Sequence, residues 1–131
     1  MERRVLIHAP RGRDAAVVQQ VLRDIQLVAV VCESADAMLA ALDQGAAAAI
    51  LTEESLVQVP EAPLRAWLMA QPSWSDFPFI VLASRDAGGR SRQALALLQT
   101  LGNAFVLERP VHTETLARAA DAAVRARRRD P

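Results

Sequence analysis

Ala46-Ala47-Ala48-Ala49-Ile50-Leu51-Thr52-Glu53-Glu54 is a short uncharged run that ends abruptly in a hydroxyl and two carboxylates. Bounded by Gly45 on one side and by acids on the other, it reads as a strand buried on both faces. In an open parallel sheet, ligands and chemistry collect just beyond the carboxyl ends of such strands. Thr52 and Glu53 therefore mark the place where this chain acts, if it acts chemically.

The segments on either side repeat one alternation. Val5-Leu6-Ile7, stopped by Pro10 and Gly12, reads as a first buried strand. Asp14 is placed to cap a helix with Val18, Val21, Leu22 and Ile25 at i, i+3, i+4, i+7. Leu27-Val28-Ala29-Val30-Val31 has the β-branched content of a second strand. Ser34 then caps a helix whose apolar face is Ala35, Met38, Leu39 and Leu42, and Gly45 ends it. The opening stretch comes third.

Residues 53–63 read as irregular, carrying Pro60 and Pro63, before a helix centred on 64–69 that Pro72 ends. Phe79-Ile80-Val81-Leu82-Ala83 is a fourth strand that finishes at Ser84. Ala94, Leu97, Leu98 and Leu101 give the next helix its apolar face, with Gly102 as its stop. Ala104-Phe105-Val106-Leu107 is a fifth strand, and Thr113 caps a last helix with Leu116, Ala120, Ala123 and Val124 along one side. Five strands alternating with five helices require right-handed crossovers, a parallel sheet and helices on both faces. The expected fold is α/β, doubly wound and flavodoxin-like.

Composition narrows the chemistry. A chain of 131 residues fits a single domain, 1–131, and 52% hydrophobic residues place it among folded globules. Much of that fraction is alanine, so the core relies on close helix approach. Fifteen basic residues cancel fifteen acidic ones, and no field draws the chain to nucleic acid or to an anionic membrane. Only 4% of residues are aromatic, too few for a base-stacking surface. Cys32, alone in an apolar run, reads as a small core residue in a reducing, cytoplasmic compartment. No stretch approaches the ~20 apolar residues that span a bilayer. GxGxxG, GxxxxGKS/T, CxxC, HExxH and GxSxG are all absent, so the usual markers of dinucleotide, nucleotide, redox, zinc-protease and hydrolase chemistry are missing. His8 and Glu53, two potential ligands, do not make a metal site. Trp67 and Trp74 read as packing residues rather than as a flavin cover.

With this order of elements, the chain resembles the receiver domain of bacterial two-component systems over nearly its whole length. Leu107-Glu108-Arg109-Pro110 resembles the family's Lys-Pro ending of the fifth strand, and Ser84 matches the hydroxyl residue ending the fourth. The resemblance implies a CheY-like sheet of order 2-1-3-4-5. It also implies where phosphoryl transfer would occur: an aspartate ending the third strand, two acids after the first strand to hold Mg²⁺, and a lysine. Here the acid pair falls on Ala9 and Pro10, the acceptor on Thr52, the lysine on Arg109, and the switch aromatic on Val106, one place from Phe105.

Without two carboxylates a hard cation has no site, and a threonine has no base to activate it. The chain thus resembles a degenerate pseudo-receiver, with no catalytic residues, metal or cofactor, and is not expected to be an enzyme. Glu53 is the obvious substitute acceptor, but it faces the pocket only if the strand ends early or bulges. Arg11, Arg13 and Arg109 with Ser84 form a candidate anion site ahead of a helix N-terminus. Alternatively, Arg109 pairs with Glu53 or Glu54 across the strand ends and holds the loops in one state. The plain reading of these groups is solvated loop charge.

The last helix carries Ala117, Ala119, Ala120, Ala122, Ala123 and Ala126 over more than one face and ends in Arg127-Arg128-Arg129 without a glycine stop. Residues 126–131 are therefore expected to begin a helical linker. The wording Ala9-Pro10-Arg11-Gly12-Arg13-Asp14-Ala15 and Leu107-Glu108-Arg109-Pro110-Val111 resembles the N-terminal pseudo-receiver of certain bacterial sensor histidine kinases. That resemblance implies a regulatory or dimerising module joined to a histidine kinase core in the same polypeptide and forming homodimers. The two alternatives are a phosphoacceptor using Glu53 or Thr52, and a domain sensing a small anion or ligand in the strand-end cleft.

Overall fold

Alternating apolar side chains build the sheet from its centre outward. In the computed structural model, which describes residues 4–10, 13–71, 77–83, 92–109 and 111–128, β1 (Arg4–His8) lies between β2 (Val28–Val31) and β3 (Ala48–Thr52). β4 (Phe79–Ala83) and β5 (Ala104–Glu108) follow, so the strand order is 2-1-3-4-5. All four pairings are parallel, with Leu6 opposite both Val30 and Ala49, and Leu51 opposite Val81. The expected flavodoxin-like, CheY-like fold is what forms.

Two cores lie on opposite sides of the sheet. Leu6, Ala49, Leu51, Phe79 and Val81 face α2 (Ala35–Gln44), α3 (Glu53–Leu56), α4 (Glu61–Met69) and α5 (Arg92–Leu101). Val5, Ile7, Ala48, Ile50, Ile80 and Leu82 face α1 (Asp14–Asp24) and α6 (Thr113–Arg128). Every residue of β3 and β4 is buried, which is why the opening stretch has no polar alternation. The second core is completed by Leu116, Ala120, Ala123 and Val124, the face read from the sequence. Cys32 is buried as a core residue, and burial pushes its thiol pKa up. Trp67 packs edge-on against Phe77 at 5.2 Å; Trp74 lies outside the described residues.

Local signals account for the helix ends. Ser34 accepts the Ala37 N–H at 3.0 Å, as its N-cap position requires. Gly45 follows α2 at φ 105°, where a side chain would strain the backbone. The Arg4 guanidinium donates to the carbonyls of Ala41 and Gly45, at 2.9 and 2.6 Å, adding a cation to the negative end of α2.

Several boundaries differ from expectation. Residues 53–56 form a short helix, and α4 begins at Glu61, so six helices are present among the described residues rather than five. Pro60 and Pro63 do not break α4, because the amides of a first helical turn need no internal acceptor. Asp14 is the first residue of α1 rather than its cap; Arg13 holds the N-cap position without a side-chain bond. Thr113 is likewise the first residue of α6.

The alanine-rich second core leaves little room. Ala120→Leu, at a position with 0% exposure, is expected to destabilise the domain by about 1–3 kcal/mol in urea unfolding. Ala122→Leu, exposed on the same helix, should change stability by no more than about 0.5 kcal/mol.

Candidate functional site at the strand ends

The carboxyl ends of β1, β3, β4 and β5 open on one rim of the sheet, and a single side chain ties three of them together. Arg109 follows β5, with its backbone N–H donating to the Ala83 carbonyl at 2.9 Å. Its guanidinium reaches outward from that anchor. Nη1 donates to Asp14 Oδ2 at 2.8 Å and Nη2 to Glu54 Oε2 at 2.7 Å, while Nε lies 3.4 Å from the Ala83 carbonyl. These residues are 95 and 55 positions away in the chain. The rigid fork of an arginine suits two acceptors held in different directions, which a lysine ammonium would not fix in the same way.

The three side chains are only 23%, 34% and 25% exposed for Arg109, Asp14 and Glu54, so the pairs are shielded better than ordinary surface ion pairs. Burial pushes the Glu54 carboxyl pKa up, but the Arg109 hydrogen bond and charge, with the Thr52 hydroxyl, outweigh it and hold it below the ordinary value. The Glu54 hydrogen bond, against burial and with help from Asp14, raises the Arg109 pKa above its already high value.

Thr52 is 1% exposed, and its hydroxyl accepts the Ser55 N–H at 3.2 Å, so it serves as the N-cap of α3. β3 does stop at Thr52, which frees the following acids from strand alternation. The acid that reaches Arg109 is Glu54, not Glu53; Glu53 occupies the first turn of α3. Ala9 is half-buried against the α1–α6 core and Pro10 is exposed. Arg13 is exposed at the head of α1, whereas Arg11, Ser84 and Pro110 lie outside the described residues. Of the two anion-site arginines among the described residues, Arg109 is the one the ion pairs engage, with carboxylates at both Nη atoms.

The sequence also missed a buried polar pair. His8 Nδ1 meets the Ser55 hydroxyl rather than Glu53, and both residues are buried. A signal existed in the hydroxyl three residues beyond Thr52. Burial alone lowers the His8 pKa.

The residues do not fit a magnesium ion. Ala9 and Pro10 offer no carboxylate, and Asp14 and Glu54 are both bound by Arg109. Among the described residues no group of three potential metal ligands converges. Beside the clamp lies a cavity of about 520 Å³, walled by Asp14 and Arg109 and floored by Val18, Leu82, Val111 and Leu116. No helix among the described residues is long and apolar enough to cross a membrane. The edge strand β5 leaves Phe105 51% and Val106 41% exposed.

Removing the clamp's cation leaves two partly buried carboxylates facing each other's neighbourhood. Arg109→Met is expected to cost about 1–3 kcal/mol in urea unfolding at neutral pH. Because the Glu54 pKa is depressed in the fold, its contribution is complete above 4.5 and is lost as pH falls through the folded value. The natural chain should therefore lose stability in that acid window, and the loss should shrink in Arg109→Met.

No protein-family model and no curated protein matches the sequence. Solved structures do match. A CheY-like response regulator receiver domain protein from Methanospirillum hungatei superposes with a TM-score of 0.73 at 15% identity, covering 96% of each chain. A response regulator receiver domain protein from Clostridium thermocellum gives 0.72 at 15%, covering 95% of this chain and 96% of the other. NtrX from Brucella abortus gives 0.72 at 18%, covering 98% of this chain. The chain spans only 28% of that NtrX structure. At these identities the likeness lies in the fold: this chain has the CheY-like architecture of response regulator receiver domains.

Proposed function

We propose that this chain is a phosphorylation-independent pseudo-receiver of two-component signalling, a cytoplasmic module rather than an enzyme. The observation that carries the reading is the Arg109 clamp. The residue at the phosphate-pairing position is already paired with Asp14 and Glu54, and the residue at the acceptor position caps a helix. With no carboxylate at Ala9 or Pro10 to hold a divalent ion, nothing neutralises a transferring phosphoryl group. The rim is held in one state by charges internal to the chain.

Output would then pass through helix position. α6 packs its alanine face on α1 and the sheet, in the same core that Leu107 of β5 borders. In our reading that helix regulates or dimerises an attached histidine kinase core, in homodimers built near the same edge. The sequence encoded beyond Pro131 tests the attachment, and a dimerisation helix with a phosphorylatable histidine is what the reading requires. A second reading, sensing of a small anion or ligand, is favoured by the 520 Å³ cavity that shares the clamp's Asp14 and Arg109.

Incubation with acetyl phosphate and Mg²⁺, followed by intact-mass measurement, separates these readings from a phosphoacceptor. An unchanged mass is expected. Gain of one phosphate on Thr52 or Glu53 would overturn the proposal.

A further inference from the structure

His8 ends β1 with 1% exposure, and Ser55, which its Nδ1 meets across 47 residues, is 0% exposed. The other ring nitrogen, Nε2, is buried and has no hydrogen-bond partner among the described residues. Buried polar atoms are almost always paired, so this one is an exception that calls for a reason. A neutral imidazole leaves one such atom unanswered. An imidazolium has two N–H donors and a charge, and burying both without an acceptor is far more costly.

The partner of His8 belongs to the element that holds the clamp. α3 is a single turn of four residues, fixed at its head by the Thr52 cap on Ser55. Its second residue, Glu54, is bound to Arg109 through Oε2, while Oε1 is buried and lacks a partner among the described residues. The ionisable groups on the elements around β1 are Arg4 on β1 itself, Asp14, Arg23 and Asp24 on α1, Asp36 and Asp43 on α2, and Glu53 and Glu54 on α3. Cys32 follows β2, and β2 and β3 carry none. Glu54 is the residue directly before Ser55, whose hydroxyl His8 already touches.

We infer that His8 is a proton-operated release for the Arg109 clamp. A hydronium ion gives its proton to whichever ring nitrogen lacks one, leaving water, and no bond of the protein is broken. The imidazolium then competes with the guanidinium for the carboxylate of α3, and the short helix shifts so that Glu54 leaves Arg109. Mild acid would thereby loosen the strand-end rim, a signal needing neither phosphate nor metal.

The inference rests on the clamp of the functional reading, yet the two fail separately. Phosphorylation of the chain would overturn that reading, whereas unlinked titrations would overturn this one. The experiment follows the His8 ring nitrogens and the Arg109 Nε resonance by NMR between about pH 7.5 and about pH 5, the range in which a histidine switch operates. His8 should titrate below 6.5, and the Arg109 resonance should move with the same midpoint. His8→Gln keeps a partner for Ser55 but cannot titrate, and it should abolish the Arg109 step. An Arg109 resonance indifferent to the His8 titration, or an identical step in His8→Gln, would overturn the proposal. If His8→Gln fails to fold, agreement or disagreement of the two midpoints in the natural chain decides the matter.

Discussion

One guanidinium shared by two carboxylates governs the rim of this sheet. Arg109 reaches Asp14 at the head of α1 and Glu54 in α3 from a backbone fixed by β4. Charge-assisted hydrogen bonds of this kind are stronger than neutral ones, and partial burial limits their screening. The arrangement joins chain segments that would otherwise meet only through the sheet. It also neutralises the carboxylates of Asp14 and Glu54 at the rim.

The clamp works because the layers beneath it are rigid. β3 and β4 are buried along their whole length, so their ends cannot shift without moving both cores. Alanines at 47–49, 120 and 123 bring strands and helices close, leaving side-chain volume to leucine, isoleucine and phenylalanine elsewhere.

Much of the architecture was legible because each apolar run had one reading. The β3 run had no polar alternation, and the α6 face of Leu116, Ala120, Ala123 and Val124 followed from periodicity alone. Short-range chemistry near prolines and acids was less legible. Residues 53–56 make only one helical turn, too few for a periodic signal, and Pro60 and Pro63 resembled breakers although they sit at a helix start. The pairing of Arg109 with an acid was anticipated, but not which one, because where β3 ended decided whether Glu53 or Glu54 faced the rim. Asp14 looked like a cap because sequence cannot register an arginine 95 residues away. His8 and Ser55, 47 residues apart, escaped for the same reason.

In the function we propose, the Arg109 guanidinium occupies the rim in place of a divalent ion and a phosphate. The most direct test is titration of the protein with Mg²⁺ and beryllofluoride while the Arg109 Nε and Thr52 amide resonances are observed. Both are expected to stay in place. Saturable movement of the two resonances together, with the magnesium and beryllofluoride bound beside Thr52, would contradict it.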